Sequence, residues 1–228
     1  VSDPRANAKR RAALEAVELV ASGMVLGLGT GSTVRYAIEE IGRRISRGEL
    51  RDVVGVPTSK ATERLAEEVG VPLVSLNDRL AVDLTIDGAD EVDPKGNLIK
   101  GHGGALLREK IVASASERLV IVVDRSKLVE RLGVSRALPV EVVAFGWRVN
   151  QRALRELGCD PILRVDAGGA PYVTDEGHYL LDCRFESGIA DPEALESEIR
   201  RLPGVVETGL FLGFHPQVIV GEDREFRV

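Results

Sequence analysis

The chain has 228 residues, 44% of them hydrophobic and 29% charged, with a formal net charge of -6. This is the composition of a soluble globular protein, too apolar for a disordered chain and lacking the run of about 20 apolar residues that spans a membrane. The acidic balance argues against a general nucleic-acid binder, because phosphate backbones demand basic patches.

The opening stretch, "VSDPRANAKRRAALEAVELV", reads as an amphipathic helix without a cleavable signal pattern. Ala13, Leu14, Val17, Val20 and Ala21 recur at helical spacing, and Gly23 is expected to end the helix. "MVLGLGTGST" then reads as a strand entering a glycine turn, followed by "VRYAIEEIGRRI" (helix), "DVVGVPT" (strand) and "SKATERLAEEVG", a helix starting between Ser59 and Thr62. "AVDLTID" is a strand. "GNLIKGHGGALLREKIVASAS" is a glycine loop opening a helix, and "RLVIVVD" has the nearly unbroken apolar run of a strand buried on both faces. Such alternation predicts an open, mostly parallel, Rossmann-like α/β sheet with helices on both faces.

Beyond Gly133 the rhythm changes. "PVEVVAF", "WRVNQRALREL", "PILRV", "HYLLDCRF" and "DPEALESEIRRL" read strand, helix, strand, strand, helix, with "VVETGLF" as a last strand, which predicts a smaller α+β (ferredoxin-like) domain. "QVIVGEDREFRV" has enough β-branched residues to return to the main sheet. The expected division is therefore an α/β catalytic domain, residues 1–132 and 207–228, with a small α+β domain at 133–206.

Cys159 and Cys183 are the only cysteines, without CxxC spacing, so both are expected to be reduced, as in a cytoplasmic protein. Of 30 Lys and Arg residues only Lys9, Lys60, Lys95, Lys100, Lys110 and Lys127 are lysines, which makes each of them noticeable.

Four segments carry chemistry. "GLGTGST", residues 27–33, places Thr30, Gly31, Ser32 and Thr33 where a strand passes into a helix, so backbone N–H groups and hydroxyls there can hold an anion. It lacks the glycine spacing of a dinucleotide fingerprint and the lysine of a nucleotide P-loop, leaving a small phosphate as the ligand. The bland reading is a tight turn with Ser32 or Thr33 as N-cap. "DLTIDGADE" crowds Asp87, Asp90 and Glu91 around Gly88 and Ala89, a cluster that binds a metal, handles protons or faces water.

"IKGHGGALLREK" puts Lys100 before Gly101, His102, Gly103 and Gly104, and Glu109 on the helix that follows. A glycine-rich loop lets backbone N–H groups approach a ligand, and Lys100 can polarise an oxygen. Taken alone, Glu109 is a helix-surface charge. Lys127, after another strand, is taken alone a solvated one. All four segments are expected to leave their strands at the carboxyl edge, where open α/β sheets bind ligands. Two anion cradles, two lysines, carboxylates and hydroxyls, with no cysteine nucleophile and no evident catalytic histidine, suit proton transfer on a phosphorylated sugar.

In order and spacing, "GLGTGST", "DGADE", "KGHGGALLREK", "SKLVERLG" with "LPVEV" downstream, and "LPGVVETGLF" resemble the ribose-5-phosphate isomerases of type A over nearly the whole chain. The resemblance implies an aldose–ketose isomerase that interconverts D-ribose 5-phosphate and D-ribulose 5-phosphate through an enediolate. It implies that Thr30, Gly31, Ser32, Thr33, Asp87, Gly88, Ala89, Asp90, Lys100, Gly101, His102, Gly103 and Lys127 surround the substrate. Glu109 is then the catalytic base, Lys100 and the loop N–H groups stabilise the oxyanion, and Asp87 and Asp90 share ring opening, proton exchange and hydroxyl orientation.

His102 departs from the family's unbroken glycine run and is expected to be a tolerated substitution. The resemblance further implies a homo-oligomer, a homodimer or dimer of dimers, with no cofactor, no nucleic acid and no membrane. No metal is expected, since His102, His178 and His215 are scattered along the chain and the acidic cluster is assigned to hydroxyl and proton chemistry. A metal-dependent phosphatase or kinase would need a nucleophile or nucleotide loop. A CoA-transferase relative would need a longer chain. A non-catalytic sugar-phosphate-sensing domain of the same fold would keep the phosphate cradle without the set Asp87, Lys100 and Glu109.

Overall fold

The computed structural model describes residues 4–222. The chain runs α1 (Pro4–Val17), β1 (Val25–Leu28), α2 (Val34–Ser46), β2 (Val54–Pro57), α3 (Lys60–Glu68), β3 (Val82–Asp87), β4 (Glu91–Val92), β5 (Leu98–Ile99), α4 (Leu106–Ser114) and β6 (Ser116–Asp124). A single 3-10 turn, Arg125–Lys127, leads on to β7 (Leu138–Val142), α5 (Trp147–Glu156), β8 (Asp160–Leu163), β9 (Tyr179–Arg184), α6 (Pro192–Arg200), β10 (Val205–Thr208), β11 (Leu210–Phe211) and β12 (Gln217–Gly221).

The described residues divide into two compact units, the first comprising the chain to Ala89, Arg108–Lys127 and the chain from His215 onward. Its sheet is five-stranded in the order β12-β6-β3-β1-β2, and every neighbouring pair is parallel. Leu26 and Leu28 of β1, Leu84 and Ile86 of β3, and Val120 and Val122 of β6 pack with Ala13, Ala16 and Val17 of α1 and Val34, Ile38 and Ile41 of α2. Val56, Val82 and Val112 make a separate cluster that includes α4. Gly27 belongs to that packing: a Cβ there would stand 1.8 Å from Thr85 Oγ1 and 2.8 Å from Val112 Cγ1. The expected α/β sheet is therefore the observed one, and β12 does return to it beside β6. Residues 223–228, the rest of that expected segment, and 1–3 of the expected first helix lie outside the described residues.

The second unit comprises Asp90–Leu107 and Leu128–Phe214. Its four-stranded antiparallel sheet has the order β10-β7-β9-β8, with α5 after β7 and α6 after β9, which is the ferredoxin-like arrangement. Leu138, Val140 and Val142 of β7, Leu154 of α5, Leu181 of β9 and Ile199 of α6 close its core. Cys159 and Cys183 are both free and buried in that core.

Three sequence expectations change. A third sheet, β11-β5-β4, is built from two-residue strands, too short to carry any period, so pattern reading passes over it. Because that sheet belongs with the second unit, the unit bounds differ from the expected 133–206: residues 90–107, 128–132 and 207–214 join it. The first helix stops at Val17 rather than near Gly23. Turns with Glu18 N donating to Glu15 O and Val20 N to Val17 O take over, while Gly23, at φ +86°, closes the connection.

Candidate functional site

β1, β3 and β6 are adjacent parallel strands, so the loops after Leu28, Asp87 and Asp124 all leave the carboxyl edge of one sheet, as expected. The fourth segment does not share it. Lys100 follows β5, which pairs antiparallel with β4 and β11 in the second unit.

In the first unit Asp87 is the organising group. It is 1% exposed, and its Oδ1 accepts from Thr30 N at 3.1 Å and from Gly88 N at 2.7 Å. Gly29 permits this: a Cβ there would lie 2.2 Å from Asp87 Oδ1 and 2.6 Å from its Cα. The Thr30 hydroxyl turns elsewhere, into a cluster with Thr58 Oγ1 at 2.8 Å, Ser59 Oγ at 2.9 Å and Thr62 Oγ1 at 3.2 Å. Thr30 therefore shapes the loop, and Gly88 and Ala89, which follow Asp87 in the chain, are half-buried. Gly31, at φ +123°, and Ser32 are exposed ahead of α2. Thr33 is the N-cap residue but makes no side-chain capping bond, so its hydroxyl is not spent as the bland reading required.

Lys9 Nζ donates to Ser32 Oγ at 3.1 Å, bringing a cation of α1 to the loop. Lys9 is the one lysine among the arginines of that helix, which is its only signal in the sequence. Lys127 sits on the 3-10 turn, which Asp124 ties by accepting from Ser126 N at 2.9 Å and from the Ser126 hydroxyl. Burial pushes the Asp124 carboxyl up, but the Ser126 hydrogen bonds and the charges of Lys127 and Lys9 outweigh it and hold Asp124 below its ordinary value. Glu109 lies in the first turn of α4 and is 4% exposed, so the surface-charge reading does not hold.

In the second unit Lys100 is 3% exposed, its N–H donates to Gly209 O at 2.9 Å, and its Nζ lies 5.5 Å from the centroid of the Phe211 ring. A cation over a ring face in a buried setting is a favourable contact. Asp90 Oδ2 accepts from His102 N at 3.0 Å. His102 Nε2 lies 3.0 Å from Ala137 O; a carbonyl only accepts, so Nε2 carries the proton and the ring is turned onto Ala137. The side chain that interrupts the glycine run is thus anchored away in a bond of its own. Gly101, at φ +105°, is buried, and Gly103 is exposed.

Glu91 parts from its neighbours. It is 0% exposed, and its carboxylate accepts from Ser135 N, Ser135 Oγ and Arg136 N, each at 2.7 Å, and from Gly133 N. This third member of the acidic crowd ties the 133–136 loop and is not part of a proton-handling cluster. Among the described residues no group of three or more His, Cys, Asp or Glu side chains is placed to hold a metal ion. No described helix is long and apolar enough to cross a membrane.

A family profile described as ribose 5-phosphate isomerase A (phosphoriboisomerase A) matches residues 54–225. The chain is 56% identical over 221 residues to ribose-5-phosphate isomerase A of Gloeobacter violaceus, covering 96% of this chain and 94% of that one. It is 51% identical over 217 residues to the probable ribose-5-phosphate isomerase 3, chloroplastic, of Arabidopsis thaliana, covering 93% and 79%. Its fold is similar to a solved D-ribose-5-phosphate isomerase in complex with phospho-erythronic acid, with a TM-score of 0.91, 41% identity, and 94% and 93% of the two chains covered.

Proposed function

The chain belongs to the ribose 5-phosphate isomerase A family, and from that premise we propose which of its residues carry the interconversion of ribose 5-phosphate and ribulose 5-phosphate. The open-chain aldose loses the proton on carbon 2 to a base. The C–H electron pair becomes the C1–C2 double bond, and the carbonyl electrons move to O1, giving the enediolate. The base then returns its proton to carbon 1 as the O2 proton passes to O1 and the C2 carbonyl forms. No electron leaves the sugar, so the chemistry calls for no redox cofactor.

Glu109 is the base. The observation that carries this reading is a carboxylate 4% exposed in the first turn of α4. The partial positive charge of a helix N-terminus stabilises a carboxylate there, and burial keeps bulk water from the proton it carries. A general base of this kind contributes about 10²–10⁴-fold. Lys100, also buried, stabilises the charge on O1, together with N–H groups of the Gly101 to Gly103 loop. Asp87 holds the Thr30 loop and exchanges protons with the sugar hydroxyls, while Asp90 holds His102 N.

The phosphate is taken by the α2 N-terminus at Ser32 and Thr33, with Lys127 and Lys9 as point charges. A phosphate dianion is complementary to N–H groups, hydroxyls and ammonium groups together. The sensing-domain alternative would need the phosphate loop but not a buried carboxylate on α4, and it is not the reading we adopt.

We also read the protein as a cytoplasmic homo-oligomer, at least a dimer, with the small α+β unit as contact surface. Phe145, Val149, Ile162, Val165 and Val173 of that unit are exposed, Phe145 at 94%. The direct test of the function is a coupled assay with ribose 5-phosphate, run before and after exhaustive chelation. Turnover in both is expected. No turnover, or strict dependence on added magnesium, would return Asp87 and Asp90 to a different chemistry.

A further inference from the structure

Arg164 follows β8 and donates hydrogen bonds to three partners. Its Nε donates to Asp182 Oδ2 at 2.8 Å and its Nη2 to Asp182 Oδ1, the paired fork of a guanidinium on a carboxylate. The remaining Nη1 donates to two successive backbone carbonyls, Gly101 O at 3.0 Å and His102 O at 3.1 Å. With side chains 14% and 25% exposed, Arg164 and Asp182 are sheltered enough for these bonds to hold one geometry.

The consequence follows from peptide planarity. All described peptides are trans, and in a trans peptide the C=O and the next N–H point in opposite directions. The Gly101–His102 peptide is gripped at both ends, its C=O by Arg164 and its N–H by Asp90 Oδ2 at 3.0 Å. The His102–Gly103 peptide is gripped at its C=O only, so the Gly103 N–H points away from Arg164. Gly103 is exposed, and among the described residues no acceptor takes that N–H.

Tyr172 completes the brace. Its ring lies 5.9 Å from the Arg164 guanidinium, and its hydroxyl oxygen would stand 2.2 Å from a Cβ at Gly104, which is at φ +80°. Gly104 N also donates to Gly101 O at 2.9 Å, closing the turn.

We propose that Arg164 is a positioning residue of the isomerisation: held by Asp182, it aims the Gly103 N–H at the substrate oxygen on which the enediolate charge develops. This rests on the reading that the Gly101 to Gly103 loop receives the sugar's oxygens. A donor aimed at developing charge acts on turnover, because its hydrogen bond strengthens in the transition state. Lysine cannot substitute, having neither the planar fork nor enough directed donors to serve a carboxylate and two carbonyls together.

The test is Arg164→Lys beside Asp182→Asn, each measured for kcat, KM for ribose 5-phosphate, the Kd of inorganic phosphate and the thermal midpoint. Misaiming a catalytic group by an ångström costs on the order of 10²-fold, and a drop of about that size in kcat is expected for Arg164→Lys. KM and phosphate affinity should stay near those of the parent, and Asp182→Asn should move kcat the same way by less. A folded Arg164→Lys enzyme turning over within about twofold of the parent, or one whose loss lies in KM alone, overturns the proposal. If Arg164→Lys does not fold, the same criterion applied to Asp182→Asn decides. A parent that fails to isomerise ribose 5-phosphate would mark failure of the functional reading instead.

Discussion

Asp87 accepts the backbone N–H of Thr30 at 3.1 Å, so the carboxylate that ends β3 fixes the loop that begins after β1. One side chain thereby does two jobs that substitution can separate. Asn retains an oxygen for the Thr30 and Gly88 N–H groups, so Asp87→Asn should keep KM near that of the parent and lower kcat by about 10²–10⁴-fold through lost proton exchange. Asp87→Ala should also raise KM, because the loop loses its tether. Steady-state kinetics of both decides, and an Asn variant of normal turnover would reduce Asp87 to a brace.

Lys127 and Lys9 are assigned to the phosphate alone. Lys127→Ala should therefore raise KM more than it lowers kcat, and Lys9→Ala should do the same to a smaller extent, since uniform binding is what KM reports. Initial-rate measurements across ribose 5-phosphate concentration check this. A fall in kcat at unchanged KM would move Lys127 into the chemical step.

Glu91 belongs to stability. Replacing the carboxylate by an amide in Glu91→Gln turns a donor toward the Ser135 and Arg136 N–H groups or Gly133 N, and each buried donor left without an acceptor costs roughly 1–3 kcal/mol. A loss of more than about 2 kcal/mol in denaturant unfolding is expected, with kcat of the folded protein nearly unchanged. A large kinetic defect without a stability defect would restore Glu91 to the chemistry.

Glu141, 1% exposed, offers a pH test in the small unit. Burial pushes its carboxyl above the ordinary value of 4.5, only partly offset by hydrogen bonds to Oε1 from His178 Nδ1 and Thr174 Oγ1, each at 2.9 Å. Folding thus raises this group's proton affinity. The stability it contributes is complete below the unfolded-state value and is lost as pH rises through the folded-state value. Unfolding free energies of parent minus Glu141→Gln should accordingly fall as pH rises from about 4.5, and a difference that rises with pH would contradict this.

How much was legible follows from where partners sit in the chain. Ser59 was readable as the start of α3 because its cap is local, and its Oγ accepts from Thr62 N at 3.0 Å. The crowd of Asp87, Asp90 and Glu91 was readable as unusual, but not its resolution. Their partners lie at Thr30, at His102 and in residues 133–136, and no local pattern encodes which carboxylate meets which backbone N–H. His102 stood out as an interruption of glycines, while its acceptor, Ala137 O, offers no side-chain signal at all. The glycines at 27 and 29 looked like a ligand cradle; their tight contacts are with Thr85, Val112 and Asp87, so part of that signal was packing.

The central claim is that Glu109 takes the proton from carbon 2. Glu109→Gln preserves the shape of a side chain only 4% exposed and removes its basicity, so exchange of the carbon 2 hydrogen of ribose 5-phosphate with deuterated water reports that step directly. The account expects exchange and turnover to fall together by at least about 10²-fold while ribose 5-phosphate binds with similar affinity. Near-normal exchange by a correctly folded Glu109→Gln protein would contradict it and make another group, Asp87 first among them, the base.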